Sequence, residues 1–375
     1  MRYPLSSPHS LHADAVKAGI KTLRSGRYTM GPAVAAFEQA FAKRVGAKHA
    51  VMVNSGSSAN LLAVEAMLRP AKGTPRWTVG DEVLVPALAW STTVWPLVQL
   101  GLVPVFVDSD PVTLALDLDH AERMVSPKTV GMMLIHVLGC PSVSASGFCE
   151  RHGLTLIEDC CEAMGAHVGL DGLLSTYSHF FSHQLTTMEG GTVTTDDDAI
   201  ADDLRSMRAH GWTRNRQDKD AWHAGSAIDP SFLFVTTGYN VRPLEIEGAM
   251  GLVQLQHLDA DITGRRAMVR EMRATVSGSP VSVIGYREHG HSWMNCPLSV
   301  SGDQKMVIET FQRAGIETRP IIAGNLLRHP VMARVQHRAD VSYPVADDIM
   351  AQGFMMGSHW STDGLVALRE AVDSI

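Results

Sequence analysis

The sequence has few cysteines, and their spacing argues against both a disulfide framework and a cysteine-ligated metal site. Five of the 375 residues are cysteine, two of them adjacent, and no two have C-x-x-C spacing. An odd number without paired spacing argues against a disulfide framework. The lack of C-x-x-C pairs argues against a cysteine-ligated metal or an iron–sulfur cluster. We therefore predict no metal and a reducing compartment, the cytoplasm.

Long apolar runs and an excess of positive charge are also missing. No stretch approaches the roughly 18 apolar residues that a membrane-spanning helix needs. The first residues lack the apolar segment of a signal peptide. Lysine and arginine number 32 against 39 acidic residues, a net charge of −7, which argues against nucleic acid or an anionic membrane as a partner. The 45% of hydrophobic residues predicts an ordinary globular protein with a large core.

Strand-like apolar runs alternate with helical patterns over the first two-thirds of the chain. The runs are at 82–85, 103–107, 130–137 and 154–157. This alternation predicts βαβ units and a mostly parallel sheet flanked by helices. Turn clusters from about residue 277 change the pattern. We therefore predict a large α/β domain at 1–260, with the N-terminal helices included, and a smaller C-terminal α+β domain at 261–375.

Ligands of such sheets collect at the carboxyl ends of the strands, where three polar segments stand out. Residues 54–60 (N-S-G-S-S-A-N) follow a strand and open a helix, which fits either a phosphate cup or an ordinary helix cap. Trp90 follows the next strand and could stack on a flat ring or fill the core. Asp159 follows a third strand and could pair with a ring nitrogen or cap a helix together with Glu162.

Three further segments are polar loops. The first, residues 182–191, contains His183, although a lone histidine is more often structural than catalytic. The others are 208–215 (R-A-H-G-W-T-R-N) and 238–243 (G-Y-N-V-R-P). Loops on a rigid scaffold often carry function, but each of these could equally be a solvated loop with an aromatic anchor.

Taken together, in this order and spacing, these segments resemble the DegT/StrS-type sugar aminotransferases over essentially the whole chain. The resemblance implies the fold-type I architecture of pyridoxal 5′-phosphate (PLP) enzymes and a homodimer with shared active sites. In that family a lysine six residues before the Glu of Glu-Gly-Gly binds the cofactor covalently. Here that position is His183, and none of the eight lysines lies between Lys128 and Lys219.

The missing lysine is itself typical of one branch of the family, the 3-dehydratases of nucleotide-linked 4-keto-6-deoxyhexoses. The motifs S-H-x-x-x-T-M-E-G-G, R-A-H-G-W-T-R-N and G-Y-N-V-R-P resemble the members that act on GDP-4-keto-6-deoxy-D-mannose, in the colitose branch of dideoxysugar and lipopolysaccharide O-antigen biosynthesis. The resemblance implies PLP and pyridoxamine phosphate (PMP) as cofactors and L-glutamate as amino donor. In this branch a second histidine commonly follows the first. Here that residue is Gln184, which bears on substrate preference.

The resemblance also assigns roles to residues. The catalytic base is His183. The predicted cofactor-binding residues are Gly56, Ser57 and Ser182 at the phosphate, Trp90 on the ring face, Asp159 at the ring nitrogen, Glu162 near the ring substituents, and Asn240 at the phosphate of the partner subunit's cofactor. The predicted substrate-binding residues are Tyr3, Thr29, Met30, His210, Arg214 and Arg319.

Two other functions stay open at this point. One is a nucleotide-sugar 4-aminotransferase that uses His183 in place of the lysine, which a product with an amine at C4 would identify. The other is a noncatalytic homologue that binds the cofactor without turnover. The retained phosphate, stacking and aspartate positions argue against the second, because nothing would keep the whole set once the chemistry was lost.

Overall fold

A computed structural model of the chain describes residues 1–142, 144–286 and 290–375. The helices are α1 (Ala13–Arg24), α2 (Pro32–Val45), α3 (Gly56–Leu68), α4 (Ser91–Gln99), α5 (Leu118–Met124), α6 (Ala145–His152), α7 (Asp198–Met207), α8 (Lys219–His223), α9 (Glu245–Val276), α10 (Gln304–Arg313), α11 (Pro344–Gln352) and α12 (Thr362–Val372). The strands are β1 (His49–Val53), β2 (Glu82–Pro86), β3 (Val103–Val107), β4 (Thr129–Ile135), β5 (Thr155–Asp159), β6 (Leu174–Ser178), β7 (Gly191–Thr195), β8 (Val281–Val283), β9 (Cys296–Val300), β10 (Thr318–Arg319) and β11 (Gly353–Met356).

The larger sheet has seven strands in the order β1-β7-β6-β5-β4-β2-β3. All neighbours are parallel except β7, which is antiparallel to both β1 and β6. Alternate residues of β2 point to opposite faces, since Val83 and Val85 join one apolar cluster and Leu84 joins another. A sheet covered on both faces needs such continuous apolar strands. The predicted α/β fold with a mostly parallel sheet is confirmed.

The reversed strand β7 determines where the histidine loop lies. Gly191, at its start, is opposite Val53 at the end of β1 and Ser178 at the end of β6. The turn between Ser178 and Gly191 therefore lies at the carboxyl ends of the parallel strands. Asp159 ends the next strand, β5, so the sheet brings the predicted cofactor residues to the same edge.

The smaller sheet is antiparallel, in the order β10-β11-β9-β8, and has its own apolar core. Tyr3 belongs to that core, where it pairs with Ile316. The predicted boundary at 260/261 falls inside α9, a continuous helix of 32 residues. This helix packs against α1 and α2 at one end and lies beside β8 at the other, so it belongs to both parts.

Among the described residues, no helix combines the length and the apolar character needed to span a bilayer.

Candidate active site

Asp159 is a firmly held side chain at the carboxyl edge of the large sheet. Only 2% of it is exposed. Its Oδ2 accepts hydrogen bonds from Asn60 Nδ2 and Thr93 Oγ1, both at 2.8 Å, and its Oδ1 accepts one from the backbone N–H of Cys161 at 3.0 Å. Three donors fix the orientation of the carboxylate. Asn60 belongs to the predicted segment 54–60 and Thr93 lies three residues after Trp90, but nothing in the sequence showed that these residues hold Asp159.

A cradle for an anion lies at the N-terminus of α3. Ser55 caps this helix, accepting the N–H of Ser58 at 3.1 Å. A Cβ at Gly56 would lie 2.6 Å from Ser178 Cβ and 2.8 Å from Cys161 Sγ, so only glycine fits here. Ser57 is exposed, and its hydroxyl contacts Thr92 Oγ1 at 2.8 Å. Free N–H groups at a helix start, with no side chain in the way, suit a phosphate.

Trp90 and Ser182 are two further predicted cofactor-binding residues. Trp90 is the residue before α4 and is 53% exposed, so it is not a core residue. The next turn of α4 places Thr93 on Asp159, and the N–H of Thr93 donates to Trp90 O at 3.0 Å. Ser182 is half-buried in the turn before His183. An exposed indole beside a fixed carboxylate offers a face on which a flat ring can stack.

His183 lies in that turn with its backbone N–H bonded to Phe180 O at 3.0 Å. Its Nδ1 is buried and has no hydrogen-bond partner. Burial lowers the pKa of His183 to about 4, so the imidazole is neutral at pH 7. A neutral imidazole with an unpaired nitrogen is able to accept or deliver a proton.

Glu162 shows the opposite shift. Its carboxyl group is buried, and Oε2 accepts the N–H of Leu138 at 2.7 Å. Burial raises the pKa of Glu162 to about 8, which keeps this carboxyl protonated at neutral pH. The site therefore holds a neutral carboxylic acid and a neutral imidazole, one suited to donate and the other to accept.

A second cluster is formed by the loops at 208–215 and 238–243. Arg214 places its guanidinium 4.0 Å from the ring centre of Trp212, and His210 meets the edge of the same ring at 4.8 Å. Asn240 is exposed and accepts from Arg242 Nε at 3.1 Å. The N–H of Asn54 bonds to Val241 O at 3.0 Å, which joins this cluster to the segment that leads into the phosphate cradle.

The remaining predicted residues lie in different surroundings. Thr29 is exposed and pairs with Leu244, Met30 is half-buried, and Arg319 is exposed with Nη2 bonded to Glu317 Oε1 at 2.9 Å. Tyr3 differs from the other predicted substrate-binding residues in its burial. It is fully buried in the small-sheet core, stacks on His359, and donates its hydroxyl to His359 O at 2.7 Å. Such a side chain has no surface to offer a substrate.

Comparison with known proteins agrees with this geometry. The model of the DegT/DnrJ/EryC1/StrS aminotransferase family matches residues 9–365. The chain belongs to this family. Among curated members of the DegT/DnrJ/EryC1/StrS family, a GDP-4-keto-6-deoxy-D-mannose 3-dehydratase of Yersinia pseudotuberculosis is 38% identical over 96% of this chain and 94% of its own length.

Two solved structures of the family are similar over nearly the whole chain. The first is the Escherichia coli GDP-4-keto-6-deoxy-D-mannose 3-dehydratase with bound hydrated PLP. It has a TM-score of 0.92, 37% identity, and 99% of each chain covered. The second is a GDP-4-keto-6-deoxymannose 3-dehydratase with a trapped PLP-glutamate geminal diamine. It has a TM-score of 0.91, 36% identity, and covers 99% of this chain and all of its own.

Proposed function

We propose that this family member is a PLP/PMP-dependent 3-dehydratase that removes the C3 hydroxyl of a nucleotide-linked 4-keto-6-deoxyhexose. GDP-4-keto-6-deoxy-D-mannose is the proposed substrate, because the similar proteins act on it by name. One observation carries the proposal. His183 occupies the place of the family's lysine, no lysine lies between 128 and 219, and the other cofactor residues are present.

The residues fit PLP or PMP by three separate features. Gly56 leaves a cradle that a Cβ would close, and α3 points free N–H groups into it. Asp159 is a buried carboxylate held by three donors, which suits a protonated ring nitrogen. Trp90 offers an exposed aromatic face, and His183 has an unpaired buried nitrogen. When bound, PMP would supply an amine for the C4 ketone and the two electrons that reduce the sugar, with PLP and ammonia as the resulting products.

In this proposal, some residues of the chain bind the cofactor and others transfer protons. We assign Gly56, Ser57 and Ser182 to the phosphate and Trp90 to the ring face. Asp159 keeps the ring nitrogen protonated. Glu162, protonated at neutral pH, donates a hydrogen bond to a ring substituent.

His183 moves the protons of the reaction in this proposal. Its neutral imidazole would accept a proton from the methylene carbon of the cofactor. It would then deliver a proton to the C3 hydroxyl oxygen, which leaves as water. Histidine cannot form the covalent link that lysine makes, so the cofactor is held by the contacts above alone. L-glutamate is the proposed amino donor that restores the amine form, in keeping with the glutamate adduct of the similar structure.

The proposal includes the residues that contact the substrate. We assign to the nucleotide sugar the predicted residues His210, Arg214, Thr29, Met30 and Arg319. The two arginines suit its diphosphate, since a guanidinium can donate two parallel hydrogen bonds to a phosphate.

We also propose a homodimer in which Asn240 reaches the phosphate of the partner's cofactor. Exposed apolar side chains near that residue support an interface, namely Phe232, Phe234 and Leu244. A cytoplasmic location is proposed because the five cysteines are odd in number and lack the paired spacing of a disulfide framework.

The test is a product mass. Purified protein is incubated with PLP, L-glutamate and GDP-4-keto-6-deoxy-D-mannose, and the nucleotide sugar is analysed by mass spectrometry. Loss of one oxygen atom is the expected result. An amine in place of the carbonyl oxygen would show an aminotransferase that works without lysine. No change with this sugar and with its CDP, UDP and dTDP counterparts would show a noncatalytic homologue.

A further inference from the structure

Gln184, the residue after the proposed base, is buried where three segments meet. Only 5% of it is exposed. Its Nε2 donates to the backbone oxygen of Glu162 at 2.6 Å and to Ser292 Oγ at 3.1 Å. A backbone carbonyl oxygen only accepts, so the nitrogen of the amide must face Glu162. The side chain thus connects the turn of His183 with the β5–β6 connection and with the segment that leads into β9.

The main chain joins the same segments. The N–H groups of Ser292 and Met294 donate to Gly139 O at 3.1 Å and to Leu138 O at 3.0 Å. The N–H of Leu138 in turn donates to Glu162 Oε2 at 2.7 Å. A Cβ at Gly139 would lie only 2.3 Å from Ser292 Oγ, so these segments are in direct contact.

Two residues of this junction have backbone conformations that non-glycine residues seldom adopt. Leu138 has a φ of +51° and Trp293 a φ of +48°. Such residues persist only where the surroundings hold them in place. Glu162 binds the N–H of Leu138, and Gln184 binds Ser292, the residue before Trp293.

The amide of Gln184 is needed here for its donors. Its Oε1 is buried without a hydrogen-bond partner, which is unfavourable for a polar atom. An apolar residue of the same size would fill the space without that penalty. The two hydrogen bonds donated by Nε2 are what the amide contributes.

We propose that Gln184 is a positioning residue whose two donated hydrogen bonds fix the positions of Glu162 and the turn of His183 relative to residues 292–294. The role rests on the proposed dehydratase function, since it acts through the base and the acid of that reaction. Gln184 itself touches neither substrate nor cofactor in this role.

The kinetic test compares Gln184→Leu with Gln184→Met, which nearly matches the length of glutamine, because neither side chain can donate a hydrogen bond. Both variants lose the two donated hydrogen bonds and should lower kcat about tenfold, while KM for the nucleotide sugar changes less than twofold. Gln184→His keeps one ring N–H and should recover part of the loss. The matched control is Gln312→Leu on the surface of α10, which loses a single exposed contact to Thr318 Oγ1 and should leave kcat unchanged.

A structural readout separates this role from the proposed function. Amide hydrogen exchange on the protein without cofactor should show Ser292 and Met294 exchanging about tenfold faster in Gln184→Leu than in the wild type. Unchanged exchange, or faster exchange with unchanged kcat, would overturn the proposal. A wild type without dehydratase activity would refute the function and leave the exchange result valid. If Gln184→Leu does not fold, Ser292→Ala removes one of the two acceptors and should show a smaller change of the same kind.

Discussion

Thr93→Val tests whether the donors around Asp159 serve the cofactor as well as the fold. Thr93 is fully buried, and its Oγ1 donates to Asp159 Oδ2 at 2.8 Å. Valine has nearly the same shape, so the change removes one hydrogen bond to a buried carboxylate and little else. Hydrogen bonds to charged groups contribute about 1.5–3 kcal/mol. We expect the free energy of unfolding to fall by about 2 kcal/mol, a large part of the 5–15 kcal/mol that is typical of folded domains.

The same change should weaken cofactor binding, because Asp159 loses one of the three donors that orient it toward the ring nitrogen. We expect the dissociation constant of PLP to rise about tenfold, equivalent to about 1.4 kcal/mol. Urea unfolding without the cofactor and PLP titration followed by absorbance give the two numbers separately.

The control is Thr194→Val in β7. Thr194 is also buried, but its hydroxyl interacts only with uncharged groups, the carbonyl of Ser175 at 3.4 Å and the hydroxyl of Tyr177, so its loss should cost less than about 1 kcal/mol and leave PLP affinity unchanged. Equal destabilisation by the two valine variants would refute the role given to Thr93. So would a Thr93→Val protein that binds PLP like the wild type.

Three further predictions concern the base, the acid and the cradle. His183→Lys should allow borohydride to fix the cofactor covalently and should suppress dehydration, whereas His183→Asn should only suppress dehydration. Mass spectrometry of the borohydride-reduced protein measures the covalent attachment. Unchanged dehydration in the lysine variant would contradict the role of His183. Burial raises the pKa of Glu162 to about 8, so the folded state binds this proton more tightly than the unfolded state, and stability falls as pH rises from about 4.5 to 8 by at most about 1.4 kcal/mol per unit. Glu162→Gln should remove that part of the pH dependence in urea unfolding, and an unchanged slope would speak against the raised pKa. Gly56→Ala should destabilise by about 1–3 kcal/mol and abolish PLP binding, because the new Cβ meets Ser178 and Cys161. Gly147→Ala in α6 meets only the end of the Arg151 side chain, at an ordinary contact distance of 4.0 Å, and should be neutral or stabilising.

The sheet and the positions of the main site residues could be predicted because they are local in sequence. Apolar runs mark the strands, and the polar residue that follows each run marks the carboxyl edge, as Asp159 and Trp90 show. Side-chain partners that are distant in sequence could not be predicted this way. Asn60 and Thr93 reach Asp159 across 99 and 66 positions. Only the order of the strands brings them together.

Two features of the fold are not indicated by local sequence, for the same physical reason. Tyr3 follows no strand and lies at the chain terminus, so nothing local indicates that it is buried against Ile316 and His359 in the small sheet. The predicted turn clusters begin at about residue 277, just after helix α9 ends at Val276, whereas the predicted boundary at 260/261 falls inside this helix, whose buried side contacts the apolar cores of both parts in turn. Long-range packing decided both outcomes.

The proposed dehydratase would use the opposite pKa shifts of His183 and Glu162 together. Glu162 is buried, and His183 is half-buried with a buried Nδ1. Burial disfavours the charged form of each group, so the histidine becomes a weaker base and the glutamate a weaker acid. From about pH 4 to about pH 8 both are uncharged, and a neutral acceptor and a neutral donor serve the same site. A lysine at position 183 would bring a primary amine that bonds covalently to the cofactor. The imidazole brings proton transfer without that bond, and proton transfer is the step that expulsion of a hydroxyl group requires.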